Sequence, residues 1–133
     1  MKKMKHYLPV IRVIGFITIA LTILILSLIP RPPEVIREFA LGDKFMHLSA
    51  YIALALSMCF ILPSSYSSIK AIFSVFIISS LYGAVIEFLQ GFTGRTPEGL
   101  DLLFDSAGAA IGILIYFLIK KNNRASANEL KSM

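Results

Sequence analysis

The chain of 133 residues is 56% hydrophobic, with a mean hydropathy of +0.77, above the roughly 45–50% apolar content of soluble domains, which favours a membrane protein over an ordinary soluble globule. The net charge of +5 comes from basic residues at the chain ends rather than from an aromatic-studded patch, so nucleic acid is not an expected partner and anionic lipid headgroups suffice for those ends. Cys59 is the only cysteine, which rules out an intrachain disulfide framework or a zinc finger and leaves core packing as its expected role.

Four apolar runs follow one another at 10–29, 45–62, 71–89 and 102–119. Each is close to the ~20 residues that span ~30 Å of hydrocarbon at about 1.5 Å per residue. A buried soluble helix of that length carries a polar stripe, and these runs as wholes do not. The expected fold is all-α, one domain over 1–133, an integral membrane bundle of four transmembrane helices. The opening MKKMKHYLPVIR resembles a signal peptide, but the run after it is too long for an h-region and IPRPPE offers no A-x-A cleavage site. A retained first span is therefore expected.

Pro30, Pro32 and Pro33 end that span, because proline cannot donate to the helix ladder and restricts the residue before it. From Glu34 to Leu41 the apolar Val35, Ile36, Phe39 and Ala40 alternate with charges, a pattern for a short helix lying on the headgroups. Asp43, just before the second run, suits an N-cap, with its charge at the positive helix end. The loop PSSYSSIK between the second and third runs is turn-rich and carries no visible chemistry. GFTGRTPEG, between the third and fourth, has the glycines and proline of a shaped turn. The tail from Lys121 to Met133 is polar and expected to fray.

Counting Lys and Arg near the span ends sets the expected orientation. Lys2, Lys3, Lys5, Arg12, Lys70, Lys120, Lys121, Arg124 and Lys131 fall on the side of the termini, against Arg31, Arg37, Lys44 and Arg95 on the other. Both termini are thus expected in the cytoplasm. Of the eight acids, Glu129 alone falls on that side. A charge deep in a transmembrane helix costs about 2.5–3.5 kcal/mol, so carboxylates gathered at one face of a membrane mark a site.

Three stripes carry that site. Asp43, His47 and Tyr51 are spaced i, i+4, i+8 in the second run, with Lys44 three residues before His47. A histidine between charged neighbours in a bundle can exchange protons near neutral pH. Gly83, Glu87 and Gln90 make an i, i+4, i+7 stripe in the third run, where the carboxylate of Glu87 must face inward and find a partner. Asp101, Asp105, Gly108 and Gly112 form one stripe at the start of the fourth, and the two glycines make a GxxxG suited to close helix packing. Arg95, in the loop, can bridge carboxylates or bind a phosphate with its planar fork. Glu87, Asp105 and His47 lie at similar depth and are expected to converge, with Gln90, Arg95 and Asp101, on one outward-open polar pocket.

The sequence contains no G-x-S-x-G, H-E-x-x-H or Walker loop. A metal centre of His47 with Glu87, Asp101 and Asp105 is not expected, since only one histidine is available and no ligand spacing is fixed. Nothing calls for a cofactor. Two uses of the pocket stay open. In one, Lys44, Tyr51, Gln90, Arg95, Asp101 and Asp105 bind an amphiphilic envelope ligand. In the other, His47, held by Asp43, and Glu87 act as proton-transfer groups of a membrane enzyme. A transporter is weaker, because no span carries a charge at mid-depth and one copy has only four.

DKFMHLSAYIAL (Asp43 to Leu54) followed by EFLQGFTGRTPEGLDLLFDSAGAAIG (Glu87 to Gly112) resembles the VanZ-like family of small membrane proteins. The family pattern, approximately D-K-x-x-H-x-x-x-Y, E-x-x-Q, R, then D-x-x-x-N-x-x-G-x-x-x-G, is matched by Asp43, Lys44, His47, Tyr51, Glu87, Gln90, Arg95, Asp101, Gly108 and Gly112. The chain departs from it at Asp105, where the family usually has Asn. The resemblance implies a multi-pass protein of the bacterial cytoplasmic membrane with an accessory role at the cell envelope. The family takes its name from a protein associated with glycopeptide (teicoplanin) resistance.

Overall fold

Each apolar run has one conformation open to it in lipid, because backbone N–H and C=O groups there have only each other as partners and a helix pairs them locally. The computed structural model describes residues 2–29, 42–62, 69–95 and 97–132. Its helices are α1 (Lys2–Leu28), α2 (Gly42–Ile61), α3 (Ile69–Gln90) and α4 (Gly99–Ser132). All four are long and apolar enough to cross a membrane, and no strand occurs among the described residues. The chain is an all-α, multi-pass membrane protein.

The helices outrun the apolar segments. α1 begins at Lys2 and carries Pro9 within it. At the other end α4 runs to Ser132, through the stretch expected to fray. That stretch holds no glycine or proline, so no strong helix breaker stops the helix there. α2 starts at Gly42, which puts Asp43 in the first turn instead of at the cap; its carboxylate still meets the positive helix end. The prolines expected to end α1, the expected surface helix from Glu34 to Leu41 and residues 63–68 of the PSSYSSIK loop lie outside the described residues.

α2 is the hub, packing most extensively on α4 and also on α1 and α3. Its buried residues Lys44, His47, Tyr51, Leu54, Ala55 and Cys59 form one stripe, polar in the first turns and apolar below. α4 answers with Asp101, Asp105, Gly108, Ala109, Gly112 and Ile113. A Cβ on Gly108 would collide with the carbonyl of Leu48 and the Cβ of Tyr51, and one on Gly112 would stand 2.5 Å from the carbonyl of Ile52. The glycines bring the two backbones into contact, which multiplies weak dispersion contacts where no hydrophobic effect drives association. Cys59 packs with Ala55, Val75, Ala109 and Ile113.

α1 is held more loosely. Phe16, Ile19, Ala20, Ile23 and Leu24 lie against α2 and α3, and the Tyr82 hydroxyl donates to the carbonyl of Ala20 at 2.7 Å. Its outer face, with Ile14, Ile17, Leu21 and Ile25, is exposed, as are Phe73, Leu81 and Phe88 of α3 and Leu103, Leu114 and Leu118 of α4. An apolar outside is what acyl chains solvate.

Gly112→Ala should lower stability by about 1–3 kcal/mol, because the obstacle is backbone and cannot swing aside. Gly15→Ala, at a site with nothing within 4 Å of the added methyl, should not lower it. Unfolding titrations of both variants in mixed micelles check the contrast.

Candidate functional site

The helix starts and the loop between α3 and α4 gather the polar residues at the end of the bundle away from the chain termini. α2 and α4 run parallel, so their first turns lie side by side. Lys44 Nζ, on α2, donates to Asp101 of α4 and to Glu98 Oε2 at 2.6 Å, and stands 4.0 Å from Asp43 Oδ2. Asp101 is only 2% exposed. A carboxylate so far from water needs a cation in contact, and Lys44 supplies it.

One turn deeper, His47 Nδ1 lies 2.8 Å from Asp105 Oδ1, while its Nε2 is 3.8 Å from Asp101 Oδ2. The i, i+4 spacing puts Asp43 on the face of His47, but the residue that holds the imidazole is Asp105, reaching across from the neighbouring helix. Asp105 is also 2% exposed. It fits because Gly83 of α3 leaves room: a methyl there would stand 2.5 Å from Asp105 Oδ2 and 3.2 Å from the Tyr51 hydroxyl. Tyr51 is buried beside it, with its ring centroid 6.5 Å from that of Tyr82.

The loop residues tie α1 in. The carbonyl of Ser27, an orphan acceptor at the end of α1, receives Gln90 Nε2 at 3.0 Å and Arg95 Nη1 at 3.1 Å. Arg95 Nη2 also reaches Asp43 Oδ1 at 3.3 Å. One guanidinium thus joins the negative end of α1 to the acid at the start of α2. Glu87 accepts from the backbone amide of Glu98 and so pins the loop to α3. Gly94, at φ 78, takes the left-handed conformation that closes the turn after α3 and precedes Arg95.

Between α1 and α2 lies a cavity of about 290 Å³. Thr18, Ile19, Thr22, Ile23 and Leu26 of α1 and Met46, Ala50 and Ala53 of α2 form its sides, and Asp43, His47, Tyr51, Arg95 and Ser27 its polar part. Asp43, His47, Tyr51 and Arg95 therefore line it. Lys44, Glu87, Gln90, Asp101 and Asp105 are not among its lining residues and form the ion-paired and hydrogen-bonded support. Gly108 and Gly112 pack the α2–α4 seam.

Glu98 and the α1 wall were not singled out by the sequence reading. Glu98 had a signal, a carboxylate at the entry to α4 where the helix dipole favours one. So did the wall: Thr18 and Thr22 are hydroxyl residues at i, i+4 in the middle of the first apolar run.

Asp43, His47 and Asp101 could each offer a ligand atom to a metal, all within 4.8 Å of one another. The Lys44 ammonium, bonded to Asp101 and near Asp43, already fills the cation position there. The donor set fits an ion pair better than a divalent ion.

A family model described as VanZ/LLP1 matches residues 15–120. That segment holds the whole polar cluster and the cavity. Comparisons with curated proteins and with solved structures gave no match.

Lys44→Met should cost about 3–5 kcal/mol by stranding Asp101 as a buried, unpaired carboxylate. Combining it with Asp101→Asn should recover most of the loss. A double-variant unfolding cycle measures this, and simple additivity would show that the pair is not coupled.

Proposed function

The chain belongs to the VanZ/LLP1 family, and we propose that it is an accessory protein of the cell envelope whose α1–α2 cavity receives an amphiphilic ligand. The polar part of the cavity takes the headgroup and its apolar sides take part of the tail. Candidate ligands are a membrane lipid, a lipid-linked wall precursor or a lipoglycopeptide, the last giving a link to glycopeptide (teicoplanin) resistance. The protein lies in the bacterial cytoplasmic membrane with both termini in the cytoplasm, so the polar cluster meets the outer leaflet.

The observation that carries this reading is the composition of the cavity. Mostly apolar walls with a few convergent polar groups suit a small-molecule site, and Asp43 beside Arg95 offers an acid and a base to one headgroup. Arg95 would hold a phosphate or carboxylate with its fork, while Asp43 would hold an amine. Lys44 is committed to Asp101 and Glu98, so its role is to hold the ion-paired support behind the cavity rather than to bind. The loose packing of α1 supports the reading too, because a helix held by few contacts admits a guest at low cost.

A second reading has one observation in its favour. Asp105 holds the imidazole of His47, which lines the cavity, and an oriented imidazole is the usual general base. Here His47 would transfer a proton on an outer-leaflet lipid or wall precursor. Glu87, the other candidate, is engaged by the Glu98 amide.

Thermal-shift titration in detergent tests binding, and a product assay separates the two readings. Ligand at 100 times its Kd should add about 2.7 kcal/mol. Ala50→Trp, which fills the cavity, and Arg95→Ala should each abolish the shift. His47→Gln should leave binding in place, and loss of product formation in that variant alone would favour the enzyme. Unchanged shifts with Ala50→Trp would remove the binding reading.

Orientation is tested in a Cys59→Ser background. Phe92→Cys, at an exposed position in the α3–α4 loop, should react in whole cells with an impermeant maleimide. Asn122→Cys, on α4 near the termini, should react only after lysis.

A further inference from the structure

The end of the bundle that carries both termini has a second groove, of about 720 Å³, between α1, the close of α2 and the lower half of α4. Among the described residues that line it, Arg12, Lys120 and Arg124 are basic and none is acidic. Val13, Phe60, Leu62 and Ile119 make its apolar side. Lys120 supplies the most telling detail. Its Nζ is shielded from solvent and has no hydrogen-bond partner, although it lies 5.6 Å from the centroid of the Tyr116 ring. A cation–π contact offsets only part of the cost of taking an ammonium out of water. A shielded ammonium without an anion, in a groove also lined by Arg12 and Arg124, is a site built for an anion.

We propose that this groove binds the phosphate of an anionic phospholipid in the leaflet on the side of the termini, with Lys120 and Arg124 on the phosphate and the apolar wall along the first part of an acyl chain. Depth argues for lipid over a soluble phosphate. Lys120 is the first residue after the apolar run of α4, and Arg12 stands near the start of that of α1, which is where headgroup phosphates lie. Basic pockets between helix ends bind lipid headgroups in this way. Arg12 donates to the carbonyl of Phe60 at 3.1 Å, so it holds the end of α2 and keeps its charge beside the groove. Arg12 and Arg124 lie outside the segment 15–120 matched to the family. The groove shares no lining residue with the α1–α2 cavity, so the proposal does not rest on that cavity's function.

The test is native mass spectrometry of the full chain in detergent, with phosphatidylglycerol, phosphatidylcholine or glycerol 3-phosphate added. Phosphatidylglycerol should remain bound in preference to phosphatidylcholine, and glycerol 3-phosphate should not displace it. Each basic residue near a headgroup contributes about fivefold in affinity, so Lys120→Gln with Arg124→Gln should weaken binding about 25-fold. Lys121→Gln, a charge change outside the groove lining, should leave it unchanged. Should the double variant fail to fold, Arg124→Gln alone, at an exposed position, is expected to show the single fivefold loss. Equal retention of both lipids, or unchanged affinity in the groove variants, would overturn the proposal. Displacement by glycerol 3-phosphate would assign the groove to a soluble phosphate ester instead.

Discussion

The parallel seam between α2 and α4 determines where everything else in this bundle can sit. Lys44 meets Asp101, His47 meets Asp105, Tyr51 meets Gly108, and Ala55 meets Gly112. Each pair is one step down the same register. The upper two steps are charged or polar and the lower two are close contact between backbones. Parallel helices bring two positive N-terminal ends together, an unfavourable arrangement that Asp43 and Asp101, in the first turns of α2 and α4, counter with negative charge. Lys44 then balances the surplus of carboxylates. Without its ammonium the seam would hold buried anions facing one another.

The other contacts depend on that seam. Because α2 and α4 touch, Asp105 reaches past the seam to the notch at Gly83, which brings α3 against the same carboxylate. Ser106 of α4 approaches Ser80 of α3 at 3.2 Å on the same side. α1 is fastened through Gln90, Arg95 and Tyr82, all three donating to its backbone carbonyls, and through its own Arg12, which donates to the carbonyl of Phe60. Attachment by hydrogen bonds to carbonyls, with modest side-chain packing, leaves space between α1 and α2. The cavity is the consequence of a firm seam and a lightly fastened neighbour.

The two ends of the bundle differ in charge. At the far end Asp43, Glu87, Glu98, Asp101 and Asp105 surround Lys44 and Arg95, and the groups are largely paired inside the protein. At the terminal end Arg12, Lys120 and Arg124 line one groove with no acid among its lining residues. The far end has satisfied its charges and offers shape, with a headgroup-sized polar corner. The terminal end offers unbalanced charge, which membrane lipids are equipped to neutralise.

Apolar length and the loss of water as a hydrogen-bond partner determine four helices from sequence alone, since lipid leaves a spanning chain no alternative. Period also indicates the inward side of α2, α3 and α4: His47 and Tyr51, Gly83 and Gln90, and Asp101, Asp105, Gly108 and Gly112 are buried, whereas Asp43 and Glu87 on the same stripes are only half-buried. Period says nothing about which stripe meets which. Asp43 and His47 share a helix face by spacing, yet the partner of His47 is Asp105 and that of Asp43 is Arg95, because a contact across helices depends on rotation and register. Glu98 lies in a loop where no period operates, and only folding delivered it to Lys44. The place of the cavity between α1 and α2 was equally hidden, as it is bounded by two helices and filled by neither. Side-chain chemistry and spacing are local properties written along the chain, whereas pairing and empty space arise only when separate segments are packed at a definite angle and depth.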